Sequence, residues 1–225
     1  MIPQFSKALG NPPEPITALT PAAWYRYGLG ITDAGGGAVS AWADQSGNAR
    51  NAAQGTGANR PTLNADNSIT FDSSSVAKSL AVAFTFNQPL TIYALIRTDT
   101  WGSGKRFIDG AAAAGGAAYL TSTPQIGINA GGQVGNVSLP LATYGIIAYV
   151  LNGASSLISL NNGTPITGNS GANNPGGIVI GNSASGATTG MGVTFKELIA
   201  FSSAHDATNI TKVVTYLATV GGINL

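Results

Sequence analysis

With 225 residues, 10 basic and 9 acidic side chains, a net charge of +1 and no cysteine, the chain carries no electrostatic footprint for a nucleic-acid backbone. It also offers no disulfide, thiolate metal site or cysteine nucleophile. Its charged fraction of 8% lies far below the roughly 25% of average globular proteins, so Gly, Ser, Thr and Asn must cover the surface around an ordinary 44% hydrophobic content.

Such a surface favours neutral contacts and self-association, and the length suits one large β-domain. The first residues show no basic segment followed by an apolar stretch, as a secretory signal would. No run approaches the roughly 18 apolar residues that span a bilayer. No membrane partner is expected, and a cytoplasmic or virion location follows, the latter if the chain is phage-encoded.

Residues 1–20 place Ile2, Phe5, Leu9, Ile16 and Leu19 among Pro3, Pro12, Pro13 and Pro15 without a period. They read as an extended N-terminal arm, either a leader without structure or a strap docking on a neighbouring subunit through Ile2, Phe5 and Leu9. Residues 21–225 then form the domain. In it, runs of β-branched and aromatic residues alternate with Gly, Asn, Ser and Pro clusters, which predicts strands near 68–72, 80–86, 90–97, 106–109, 144–151, 157–161, 178–181 and 193–201. In the third run Leu90, Ile92, Ala94 and Ile96 share the face expected to be core, with Thr91, Tyr93, Leu95 and Arg97 on the other. The Ala- and Gly-rich stretches 111–118 and 183–190 read as loops, and Asn162-Gly163 as the centre of a type I′ hairpin turn. After Asp206, Ile210, Val213, Val214, Leu217 and Ala218 recur at helical spacing before Gly221 and Gly222, which predicts one short C-terminal α-helix packed on a sheet. The fold class is therefore all-β, an antiparallel two-sheet jelly-roll sandwich with that helix and the arm.

Three segments carry a resemblance. The first joins Pro21-Ala22-Ala23-Trp24 to Trp42-Ala43-Asp44-Gln45-Ser46-Gly47-Asn48, Ala52-Ala53-Gln54 and Arg60-Pro61. The second is Ile69-Thr70-Phe71-Asp72 followed by Leu90 to Ile96, and the third is Phe195 to Phe201 followed by a helix ending at Tyr216-Leu217-Ala218. In this order they resemble the concanavalin A-like lectin/glucanase superfamily, in particular its laminin-G-like jelly-roll domains of bacterial and phage type. The resemblance implies a fold that serves sugar binders, adhesion modules, glycosidase scaffolds and virion parts alike. Physically, Trp42 is expected to fill the sandwich, Asp44 and Ser46 to bond backbone groups of a turn, and Gly47 to supply a positive φ. The competing role for Asp44 is as a calcium or sugar ligand, although calcium asks for six to eight oxygens.

The two glutamates and seven aspartates show no closely spaced pair of the kind glycoside hydrolysis needs, and Glu197 beside Lys196 reads as a solvated or locally paired surface carboxylate. His205, the sole histidine, has no partner nucleophile and reads as a turn or helix-start residue. No catalytic residue, metal ligand set or cofactor is expected. For glycan contact the candidates are Trp101, after a strand end among small polar residues, and Tyr119, in a Gly/Ala loop. The leading expectation is a non-catalytic phage virion protein, a head decoration or tail-associated module binding itself and other virion proteins. The alternative is a carbohydrate-binding or adhesion module that recognises surface glycans.

Overall fold

The computed structural model describes residues 14–72, 76, 78–119, 122–185 and 192–225; Ile2, Phe5 and Leu9 of the arm lie outside them. A short helix α1 (Glu14–Thr17) precedes β1 (Ala23–Tyr25), β2 (Ile31–Asp33), β3 (Val39–Trp42), β4 (Ala52–Ala53), β5 (Thr62–Leu63) and β6 (Ile69–Asp72). Then come β7 (Leu80–Ala83), β8 (Leu90–Thr98), β9 (Ile108–Asp109), β10 (Gly116–Tyr119), β11 (Gln125–Asn129) and β12 (Gln133–Ser138). The chain closes with β13 (Tyr144–Leu151), β14 (Ser156–Leu160), β15 (Ile166–Gly168), β16 (Gly177–Ile180), β17 (Gly192–Phe201) and α2 (Ala207–Gly221).

Every ladder is antiparallel. An eight-stranded sheet runs β15-β14-β13-β8-β17-β6-β5, with β1 also on β17, and faces a six-stranded sheet ordered β2-β3-β4-β7-β16-β9. This is the all-β sandwich that the alternating runs predict. A third sheet, β10-β11-β12, touches β9 at one end and β14 and β15 at the other, so it bridges neighbouring edges of the two main sheets.

Leu90, Ile92, Ala94 and Ile96 enter the core between the sheets with Trp42, Phe71, Phe195 and Ile178. The opposite side of β8 is not solvent-facing: Tyr93 and Leu95 join Ile146, Ile199 and Phe201 beneath Ile210, Val213, Val214 and Leu217 of α2. A strand covered on both sides is apolar on both, which explains the nearly continuous apolar runs of β8, β13 and β17. Asp206 caps α2 by accepting the Asn209 N–H at 2.8 Å, and Gly222 ends it in the left-handed region.

Four expectations change. Residues 14–17 are helical rather than extended, and Ile16 is fully buried in the second core; its apolar side chain gains more from that cover than from an exposed arm. Within the Ala- and Gly-rich stretch 111–118, Gly116 opens strand β10. A Cβ there would lie 2.0 Å from the Ile108 carbonyl oxygen, so glycine permits a close backbone approach and does not mark a loop. The hairpin turn is centred on Asn161 and Asn162, both at positive φ, with the Gly163 N–H donating to the Leu160 carbonyl at 2.8 Å; the turn lies one residue earlier than expected, and Asn162 holds the second central position expected for Gly163. The third sheet, rich in glycine and short in β-branched runs, is absent from the predicted strands. Among the described residues no helix is long and apolar enough to cross a membrane.

The second core makes α2 integral to the sandwich. Leu217→Ala, at a fully buried position, is expected to lower unfolding free energy by about 2–5 kcal/mol, measurable as a fall in urea midpoint with unchanged m-value.

Candidate functional site

The segment Trp42–Arg50 folds around one carboxylate. Asp44 accepts from the N–H of Trp24 (2.8 Å), the N–H and hydroxyl of Ser46 (2.8 Å each) and the N–H of Arg50 (3.0 Å). Gly47 turns the chain at φ +90. Trp42 is fully buried, and its indole N–H donates to the carbonyls of Arg26 (3.0 Å) and Leu29 (3.2 Å). Asn48 donates from its amide to the carbonyls of Pro21 (3.0 Å) and Ala22 (3.1 Å), and Arg50 donates to Ala22 at 2.8 Å while its guanidinium lies 4.2 Å from the Phe84 ring centroid. With each of its oxygens already accepting from the chain, Asp44 is an organiser of the turn.

This turn, the approach to β1 and the exit from β17 border a concavity of about 410 Å³. Its walls include Thr17, Thr20, Gln45, Ser46, Asn48, Arg50 and Ser202. Hydroxyls and carboxamides share the walls about evenly with apolar surface, to which Pro21, Ala22 and Trp24 contribute; the single charged group is a guanidinium, and no carboxylate lines it. Of the residues given a role in sequence, Ser46 lines this concavity and Trp42, Asp44 and Gly47 shape the turn behind it; Pro21, Ala22, Trp24, Gln45 and Asn48 of the resembling segments line it as well. Thr20, Arg50 and Ser202 were missed, because each is an ordinary polar residue whose significance comes from a neighbour distant in sequence.

Beside it sits a buried carboxylate. Glu197, 1% exposed, accepts from the Trp24 indole N–H (2.6 Å), the Tyr216 hydroxyl (2.7 Å) and the Tyr27 N–H (3.3 Å). It is not the surface group expected. A β-bulge leaves Lys196 unpaired between Phe195 and Glu197, which shifts the alternation by one and turns Glu197 toward α2. Burial raises its pKa above the ordinary carboxylate value, with the three hydrogen bonds and Arg26 opposing. Lys196 instead lies over the rings of Tyr144 (4.3 Å) and Tyr27 (5.2 Å).

Trp101 and Tyr119 are not brought to this concavity. Trp101 is half-buried against the inner core, and its indole N–H is enclosed without a partner among the described residues. Tyr119 pairs with Ile126 in the small sheet, and its side chain lies outside what is described. His205 is buried at the entrance to α2, its Nδ1 2.8 Å from the Tyr93 hydroxyl. Among the described residues no group of three or more His, Asp or Glu side chains is placed to hold a metal.

No protein-family model matches the chain, and no curated protein does. Solved structures are similar in fold. Trypanosoma rangeli sialidase superposes with a TM-score of 0.61 at 14% identity, covering 88% of this chain and 32% of the sialidase. The same enzyme in complex with sialic acid gives 0.62 at 13% identity, over 88% and 33%. The binding domain of botulinum neurotoxin serotype D/C VPI 5993 gives 0.59 at 14% identity, over 90% and 53%. The chain thus spans about a third to a half of these proteins, and the likeness is one of β-sandwich fold.

The raised Glu197 pKa has a sign. A carboxyl whose folded pKa exceeds its unfolded value contributes stability that is present below the unfolded pKa, near 4.5, and lost as pH rises through the folded one. Compared with Glu197→Gln, the wild-type protein is expected to lose unfolding free energy across that window, read by urea melts at successive pH values. Glu197→Ala, which strands the Trp24 and Tyr216 donors, is expected to cost about 3 kcal/mol below that window and less above it.

Proposed function

We propose that the chain is a non-catalytic carbohydrate-binding module of the concanavalin A-like, laminin-G-like type, and that it takes a weakly charged glycan in the concavity beside the Trp42–Arg50 turn. The observation that carries this reading is the wall chemistry. Hydroxyls of Thr20 and Ser202 and the carboxamide oxygens of Gln45 and Asn48 match the hydrogen-bonding pattern of sugar hydroxyls, and they border a turn held rigid by Asp44, the Ser46 hydroxyl and the Asn48 amide N–H groups. The volume of about 410 Å³ lies within the range of small-ligand pockets. The fold it shares with a sialidase solved with sialic acid and with a toxin's binding domain adds support.

Binding rather than turnover is favoured by the state of the carboxylates. Asp33, Asp44, Asp66, Asp99, Asp109, Asp206 and Glu197 each already accept hydrogen bonds from the chain itself. The solved structures named above are a sialidase and a toxin's binding domain, and the glycan reading takes precedence over the virion-structural role expected from sequence.

Ser202 is exposed on the concavity wall, so Ser202→Trp fills the site without entering a core. On a glycan array the wild-type protein is expected to bind a defined subset of sugars, Ser202→Trp to lose that signal by more than tenfold, and Trp101→Phe to keep it. A blank array, or full binding by Ser202→Trp, sinks the proposal.

A further inference from the structure

On the other flank of α2, strand β14, the hairpin turn after it and the first turn of the helix enclose a second concavity of about 220 Å³, walled by Leu157, Ser159, Pro165, Ala207 and Ile210, with Asn162 at its mouth. The walls are mostly apolar and no charged side chain lines them. Ser159 is the exception: it is 3% exposed, and its hydroxyl is buried without a hydrogen-bond partner among the described residues. Most buried hydroxyls in folded proteins are paired, and an orphan carries its full desolvation penalty unless something outside the chain takes it up. At the mouth, the Thr211 hydroxyl donates to Asn162 Oδ1 at 3.1 Å, which fixes that carboxamide and leaves its NH₂ to donate outward.

We propose that this concavity is a binding site for an acetamido group carried on a sugar ring. The methyl packs among Leu157, Pro165 and Ile210, the Ser159 hydroxyl, enclosed in the unliganded chain, turns about χ1 to pair with the amide, and a ring oxygen accepts from the Asn162 amide. Each alternative leaves something unmet. A pure hydrocarbon leaves Ser159 unpaired, an ionised group finds no counter-charge, and a plain hexose has no methyl for the apolar wall. The volume falls below the roughly 300–1,000 Å³ of drug-sized sites, which fits one sugar residue rather than a long chain. The sugar as carrier rests on the glycan-binding reading above; the demand for a methyl beside one hydrogen-bonding amide does not.

Amide-resolved NMR titration with acetamide, the methyl glycoside of N-acetylglucosamine and methyl glucoside tests it. Both acetamido probes are expected to shift the signals of Leu157, Ser159, Ala207 and Ile210, with methyl glucoside leaving them in place. Ser159→Ala should weaken the N-acetylglucosamine glycoside roughly fivefold, as loss of one neutral hydrogen bond would. Ala207→Trp, at an exposed wall position, should abolish the shifts with the fold intact by the rest of the spectrum, and Ser202→Trp should not change them. Equal shifts with methyl glucoside, no shift at these residues with either acetamido probe, or undiminished affinity in Ser159→Ala overturns the proposal. Acetamide shifts here alongside a blank glycan array would remove the reading of the first concavity and keep the acetamido site; array binding lost in Ser202→Trp without shifts here would do the reverse.

Discussion

Strands β8, β13 and β17 run through the middle of the larger sheet and are apolar on both sides, and this double burial governs the rest of the molecule. One face is met by the six-stranded sheet and the small bridging sheet, as in any sandwich. The other would expose Tyr93, Leu95, Ile146, Ile199 and Phe201 together, far more contiguous apolar surface than a monomer leaves open. Helix α2, the buried Ile16 of α1 and Trp24 of β1 are the cover. Each joins the sandwich because that face cannot be left to water.

Covering a sheet with a helix and a short added strand creates seams, and polar groups are placed at them. Glu197 lies where β1, β17 and α2 meet, tying Trp24 and Tyr216 to one carboxylate. Asp44 ties the Trp42–Arg50 turn to β1 through the Trp24 N–H. Asp109, 5% exposed, accepts from the N–H groups of Gly110, Gly115 and Ala184 and is paired with Arg106. In a chain with nine acids, these three work inside the structure as anchors for backbone donors. A carboxylate can accept several N–H bonds at once, so few of them suffice to fix loops that are otherwise glycine and alanine.

Legibility in the sequence followed the length and regularity of the apolar pattern. The central strands stood out as long, nearly continuous apolar runs, and α2 because its apolar residues recur at a period of 3.6. The Trp42–Gly47 turn stood out because its residue types have local jobs. What stayed hidden depends on partners distant in sequence. A period-2 reading cannot place Glu197 when an unpaired Lys196 shifts the register. The strands β10–β12 hold few β-branched residues, since glycines there serve close backbone approach. Ile16 sits in a proline-bearing segment whose burial depends on a helix some two hundred residues later. Thr20 and Ser202 become neighbours only through the pairing of β1 with β17.

The position of the two concavities follows from the same covering problem. A helix is a cylinder about 10–12 Å across with its side chains, while the sheet beneath it is broad and twisted, so a single helix laid along β8 and β13 leaves a gutter on each side. One gutter is closed by β1 and α1, short elements that stop before the end of β17, and the remaining gap is bordered by the Asn48–Arg50 turn and Ser202. The other is flanked by β14 and its hairpin turn, whose side chains meet only the first turn of α2 and enclose Ser159. The first gap takes polar groups beside Pro21, Ala22 and Trp24 because it is bordered by turn residues that must bond their own backbone. The second takes apolar walls because it is bordered by strand and helix faces that belong to the second core. A concavity of mixed polarity beside β1 and a mainly apolar one beside the first turn of α2 are thus a geometric consequence of how that face of the sheet is covered.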